Sequence, residues 1–232
     1  MRRLMLTLLA ATIAVFTVTG ALAQSDIDLG QASTGALAFV AQGGGNFSLG
    51  LCDNFNGARK CAGGDTVIGK AGGDGIFAGD NGFYILKGNA LQTGTFTGCS
   101  SGVCNWTLSG GGYSFEFRQF KNGTGIDYLD GTLTMLSMTE VPSGKVFSET
   151  ITLELSDISG ILAPLFADNH GQVVFNVQSQ TTTSLSNSPN GRGIEGILEN
   201  GDLSQAPEPG TMALLGSGFL LVGGFLRRKF SA

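Results

Sequence analysis

A chain with one histidine has few routes to metal or triad chemistry. His170 is the only imidazole in 232 residues, and it sits in Asp168-Asn169-His170-Gly171, a turn composition. A Ser–His–Asp triad would have to use His170, and no G-x-S-x-G elbow occurs in the body to present a nucleophile. The cluster Gly216-Ser217-Gly218 falls inside an apolar run, where no hydrolase site would be built. Trp106 is the only tryptophan, which leaves little of the aromatic platform that sugar-cleaving clefts use. Charge is scarce as well, at 13% of residues against roughly 25% in typical soluble proteins. What charge there is leans acidic: Gln24 to Ala206 holds 8 Lys/Arg against 17 Asp/Glu, a net of −9. That balance argues against nucleic acid and anionic lipid surfaces as partners. A phosphate loop is missing too, because Gly69-Lys70 follows Thr66-Val67-Ile68 and not the spaced glycine such a loop requires.

Long apolar runs are confined to the two ends. Arg2-Arg3 precede an apolar stretch from Leu4 to Val18, and Ala21-Leu22-Ala23 puts small residues at the −3 and −1 positions. This is the layout of a secretory signal peptide over residues 1–23, cleaved between Ala23 and Gln24. The secretion translocon and signal peptidase are its implied partners. Near the other end, Pro207-Glu208-Pro209-Gly210-Thr211 leads into an uncharged run from Met212 to Leu226, followed by Arg227-Arg228-Lys229. A helix over about residues 211–226 would reach roughly 24 Å, short of the ~30 Å hydrocarbon core. Snorkelling flanks or a thinned bilayer would accommodate the difference. The basic cluster stays in the cytoplasm by the positive-inside rule, which leaves everything before Pro207 outside.

The segment 204–232, a linker followed by this tripartite signal, resembles the PEP-CTERM sorting signal of exopolysaccharide-producing Gram-negative bacteria. The residues that carry the resemblance are Pro207 to Thr211, Ala213-Leu214-Leu215-Gly216-Ser217-Gly218, and Arg227-Arg228-Lys229. The resemblance implies recognition by a membrane-embedded processing enzyme of the exosortase type. Pro207, Glu208 and Pro209 would carry that recognition, with Gly210 completing the motif; Arg227, Arg228 and Lys229 would fix orientation. It implies cleavage near the Pro-Glu-Pro motif and delivery of the body to the cell surface or extracellular matrix, among exopolysaccharide. The inner membrane is then a transient partner of a precursor with a periplasmic body. All of this gives a destination and no activity.

Residues 24–203 form a body long enough for one domain with its own core. Its pattern is β almost throughout. Gly35 to Val40, Asn46 to Leu49, Gly82 to Leu86, Thr93 to Thr97 and Trp106 to Leu108 read as strands. So do Thr132 to Leu136, Val146-Phe147, Thr150 to Leu155, Gln172 to Val177 and Ile194 to Leu198, with another strand around Tyr128. The clearest alternation is Tyr113-Ser114-Phe115-Glu116-Phe117-Arg118, which sends the aromatics inward and Glu116 and Arg118 outward. Only Ile158 to Asn169 has room for a helical turn, and Pro164 limits it. Many short strands with Gly-rich turns predict a single all-β, antiparallel β-sandwich or jelly-roll-like domain.

The four cysteines fit an oxidising compartment. They form two local pairs, and of three possible pairings the spacing favours Cys52–Cys61 and Cys99–Cys104, each bracketing a turn. The spacings C-x8-C and C-x4-C, with no histidine near, disfavour zinc. Residues 72–82 resemble a calcium-binding nonapeptide, but Phe77 stands where the ligand aspartate belongs, and a single copy cannot stack into a roll. A turn-rich loop is the simpler reading, with no metal and no cofactor expected.

Three function classes remain. Glu116, Glu154, Asp127 and Asp130 lie on or beside strands and could in principle pair as glycosidase carboxylates, making a secreted glycan-active hydrolase. Such carboxylates are normally a solvated face, so no enzymatic activity is expected. A carbohydrate-binding or adhesive module would present Trp106, Tyr84, Tyr113 and Tyr128 as an exposed row. A structural surface or matrix protein would bury all four.

Overall fold

The structure, a computed structural model, describes residues 26–52, 66–73, 79–143, 146–179 and 181–205. The signal peptide over residues 1–23, Cys61, and the sorting residues Pro207, Glu208, Pro209, Gly210, Arg227, Arg228 and Lys229 lie outside the described residues. So does the span expected over residues 211–226; among the described residues no helix is long and apolar enough to cross a membrane.

One wall is a meander of four strands, three of them long. β9 (Asp127–Ser143), β10 (Val146–Ser159), β11 (Gly171–Ser179) and β12 (Gly193–Gln205) pair antiparallel in chain order. Two sets of shorter strands make the opposite wall. The first set is β1 (Asp26–Thr34), β4 (Thr66–Gly73), β5 (Asn81–Lys87) and β8 (Tyr113–Arg118). It joins β9 through residues 127–133 and β12 through residues 201–204. The second is β2 (Ala36–Gly43), β3 (Asn46–Cys52), β6 (Gln92–Ser100) and β7 (Val103–Gly110). It joins β9 through residues 137–140 and β12 through residues 193–196. Each set therefore closes a ring of strands with the same four-stranded wall. The registers define two ends. Turns at residues 43–46 and 100–103, and the connection residues 181–192, lie at the far end. Asp26, Gln205 and the connections 119–126 and 160–170 lie at the other, here called the exit end.

Inward positions alternate along every strand, as a half-buried sheet requires. On β8, Tyr113, Phe115 and Phe117 are buried, and Ser114 is exposed. The interior is aromatic in both rings. Phe47 meets Phe39 at 5.5 Å and Trp106 at 5.8 Å, while Phe117 stacks on Tyr128 at 4.6 Å. Glycine makes room for these rings. A Cβ on Gly94 would lie 2.3 Å from the Phe47 ring, and one on Gly69 would lie 2.3 Å from Tyr84. These two rings thus pack against a neighbouring strand's bare backbone.

That packing explains where the strands exceed their sequence signal. β4 falls in a stretch that reads as aperiodic from Ala62 to Gly82, yet Val67, Gly69 and Ala71 all face inward. Its period of two is concealed because glycine occupies an inward site. β1 also lacks a clear signal, since its buried residues are only Ile27 and Leu29. β9 and β10 read as broken segments but run unbroken, with bulges between Thr152 and Leu153 and between Ser156 and Ser159 absorbing the irregularity. β12 continues to Gln205, past the short strand expected at residues 194–198 and into the expected linker. The all-β, antiparallel expectation holds. The two facing walls are sandwich-like, but they belong to one continuous sheet. Short 3-10 turns at Ala163–Leu165 and Ala167–Asn169 take the place allowed for a helical turn. The described ends of the 72–82 loop form an antiparallel connection, with Gly73 N–H donating to Asp80 O at 2.8 Å. That is a hairpin geometry, not the parallel coil of a calcium roll.

Gly94→Ala should lower stability by about 1–3 kcal/mol through overpacking against Phe47. Gly30→Ala, whose Cβ would meet only ordinary contacts at 3.5 Å and beyond, should be near neutral. Urea unfolding of both variants checks this, and equal losses would contradict the packing argument.

Candidate functional site

The interior near the far end is polar. Glu140 on β9 stands directly opposite Glu149 on β10. Both side chains take inward positions in line with Met138 and Ile151, and their exposures are 1% and 0%. Glu140 is held by the connection between β11 and β12, which folds in over this end. It accepts hydrogen bonds from the Ser184 hydroxyl and from Leu185 N–H, the latter at 2.9 Å. Ser184 caps the 3-10 turn Leu185–Asn187, accepting from Ser186 N–H at 3.2 Å, and Leu185 itself is buried. Burial raises the Glu140 carboxyl above its ordinary range, and the two hydrogen bonds offset part of the rise.

Glu149 has less support. Neither of its oxygens has a partner in hydrogen-bond geometry among the described residues, although Ser179 is near enough to lower its pKa and offset part of what burial does. Burial pushes its pKa up to about 8, and the neighbouring Glu140 adds to the rise. Gln92, also fully buried, leaves both amide atoms without partners among the described residues. The pair is shut off from solvent, so what it can do chemically is hold protons. Sequence reading missed both glutamates. The available signal was phase: Glu149 is in step with Ile151, Leu153 and Leu155, whereas Glu154 is out of step.

The carboxylates that sequence reading did single out lie elsewhere. Glu116, Asp127 and Asp130 gather around Arg118 on the outer face at the exit end. Arg118 pairs with Asp127 and Asp130 at 2.8 Å each and stands 3.5 Å from Glu116, which also takes Lys87 at 2.5 Å. Burial and then Asp127 push the Asp130 pKa up to about 6, against the pull of Arg118. Glu154 is apart from this group and pairs with His170 at 2.9 Å. Arg118 therefore clamps the very carboxylates that would have to act as acid and base.

A second acidic group, Asp26, Asp28 and Asp202, brings its oxygens within 4.8 Å of one another on β1 and β12. These residues could hold a divalent cation. Asp28 and Asp202 are direct cross-strand neighbours, and burial followed by Asp28 raises the Asp202 pKa.

The four candidate stacking residues are all buried, with exposures of 1% or less for Trp106, Tyr84 and Tyr113 and 7% for Tyr128. Three have their polar tips satisfied by backbone carbonyls. Trp106 Nε1 donates to Gly45 O at 2.7 Å, Tyr84 to Gly30 O at 3.1 Å, and Tyr113 to Ala90 O at 2.8 Å. Cys99 and Cys104 are disulfide-bonded across the β6–β7 ladder. Cys52 is disulfide-bonded too, and its expected partner Cys61 lies outside the described residues.

None of this interior chemistry identifies the protein; the decisive residues follow β12. Residues 205–229 match the model of the PEP-CTERM protein-sorting motif. The chain carries a PEP-CTERM sorting signal. That signal implies an exported precursor, membrane-anchored before processing by exosortase. No curated protein and no solved structure matches the chain. The body that the PEP-CTERM signal delivers must thus be read from its own residues.

The raised pKa of Glu149 fixes the sign of one pH effect. Its folded pKa lies above the unfolded value near 4.3, so its contribution to stability is complete below that value and lost as pH rises toward about 8. The folded protein should lose stability on the order of a few kcal/mol between pH 6 and pH 8, a window above the Asp130 transition, read as a falling melting temperature. Glu149→Gln should flatten that window. An unchanged slope in the variant would remove Glu149 as the cause.

Proposed function

We propose that the processed body is a non-enzymatic surface or extracellular-matrix protein that resides in exopolysaccharide. The observation that carries the reading is the burial of Trp106, Tyr84, Tyr113 and Tyr128, since a sugar-stacking module would need such residues exposed. Two further features agree with it. Arg118 holds Asp127 and Asp130 in ion pairs, which leaves them poorly placed for acid–base work. The disulfide between Cys99 and Cys104 suits a body that must survive outside the cell. On this reading exosortase recognises Pro207, Glu208 and Pro209, the Met212–Leu226 run holds the precursor in the inner membrane, and cleavage near Pro207 frees the body.

Two measurements test the reading. The intact mass of protein recovered from the matrix fraction should correspond to a chain starting at Gln24 and ending near Pro207, heavier on reduction by two hydrogens per disulfide. Glu208→Ala should leave a membrane-bound precursor reaching Ala232. Normal release of that variant would remove the sorting role given to the motif. Recovery of the mature body from the medium, with none bound to purified exopolysaccharide, would remove the matrix assignment.

A further inference from the structure

The exit end exposes an apolar rim. Seven large apolar side chains stand out on the described surface, and four of them, Phe120, Ile126, Ile161 and Leu165, belong to the connections at this end. Their exposures run from 38% at Leu165 to 61% at Ile161. Backbone contacts place them side by side. Gln119 N–H donates to Ile126 O at 3.0 Å, and Ile161 N–H donates to Asp127 O at 3.3 Å. The Leu165 carbonyl in turn accepts from the Gln205 side chain. The rim thus leads to Gln205, the last described residue.

Gln205 is also where the tail departs. Met212, the start of the apolar run, is seven residues further on, and covalent geometry limits that separation to about 25 Å. Asp26 pairs with Ser204, so the N-terminal end enters at the same rim. With the tail in the bilayer, the exit end is the part of the body forced to lie beside the membrane, and it is where apolar side chains are exposed.

We propose that this rim is a bilayer-contact surface. While the tail still tethers the precursor, Phe120, Ile126, Ile161 and Leu165 rest in the headgroup region of the outer leaflet and stand the body upright on it. The contact is apolar and not electrostatic. Arg118 is committed to Asp127 and Asp130, and the other described charges at this end include Lys121, Asp80, Asp157, Asp168, the Asp26–Asp28–Asp202 group and the Glu154–His170 pair, on balance acidic. Anionic headgroups would not attract such an end. The inference rests on the tail holding the precursor in the membrane.

The test uses the tailed precursor in phosphatidylcholine vesicles whose acyl chains are brominated close to the headgroups. Phe120→Trp and Ile161→Trp report the rim, and Leu136→Trp reports the exposed outer wall; the constant signal of buried Trp106 is subtracted. Vesicle flotation of each variant checks the tether. Floating precursors in which Phe120→Trp and Ile161→Trp are quenched severalfold more than Leu136→Trp support the proposal. Flotation with equal quenching at all three positions overturns the rim contact while leaving the tether intact. Failure to float overturns the tether and the contact together. Rim quenching that arises only when exosortase is added to the vesicles would assign the surface to the enzyme and overturn the lipid assignment.

Discussion

The fold depends on β9 and β12 each exchanging one neighbour for another along their length. β9 meets β8 through residues 127–133 and β7 through residues 137–140; β12 meets β2 through residues 193–196 and β1 through residues 201–204. A strand can do this only if it spans the height of both shorter sets. The lengths of β9 and β12, 17 and 13 residues, follow from that requirement. Closure removes the open edges on which sheets pair with one another, a useful property in an exported protein. It also decides where everything else sits: the buried Glu140 and Glu149 lie toward the far end, and Asp26, Gln205 and the apolar rim lie at the exit end.

Much of the body was legible because a pleated strand buries alternate residues. Tyr113, Phe115 and Phe117 announce β8, and Gln172 to Val177 announce β11 with no tertiary information. The signal fails where glycine holds an inward place, as at Gly69, because a residue without a side chain registers as a loop former. Strand continuity is also hidden. Thr150 to Leu155 is plain, but nothing local says that β10 begins at Val146 and runs to Ser159. Closure is hidden most deeply, since it is a property of partners far apart in sequence. The sorting signal is the opposite case: a linear motif read by another protein, carried entirely by Pro207 to Lys229 and needing no fold to be recognised.

Glu140 and Glu149 show how a strong local rule can mislead. Acids alternating with apolar residues usually mark a wet face, and Glu116 and Glu154 follow that rule. Glu140 and Glu149 share the inward phase instead, so burial, not solvent, sets their protonation. A protonated Glu149 is neutral and can be carried in the interior; ionised, it stands unpaired opposite another carboxyl, at a cost that grows with pH. Glu140 is better tolerated because Ser184 and Leu185 reach it, and they reach it only when the β11–β12 connection is folded over the end. Closure of that end and tolerance of the acid are therefore coupled.

The acidic surface and the apolar rim pull in opposite directions, and the tail resolves the conflict. A body with a net charge of −9 has no long-range attraction for an anionic membrane. Four partly exposed apolar side chains are too little to hold it there in free solution. Tethering changes the terms, because a linker of about 25 Å at most makes contact intramolecular and raises the effective concentration of the surface to a level weak contacts can use. Cleavage near Pro207 then removes the tether without altering a single residue of the rim. On the proposed reading, weak apolar contact, acidic repulsion and a severable anchor together let one protein be membrane-bound before processing and indifferent to the membrane after it.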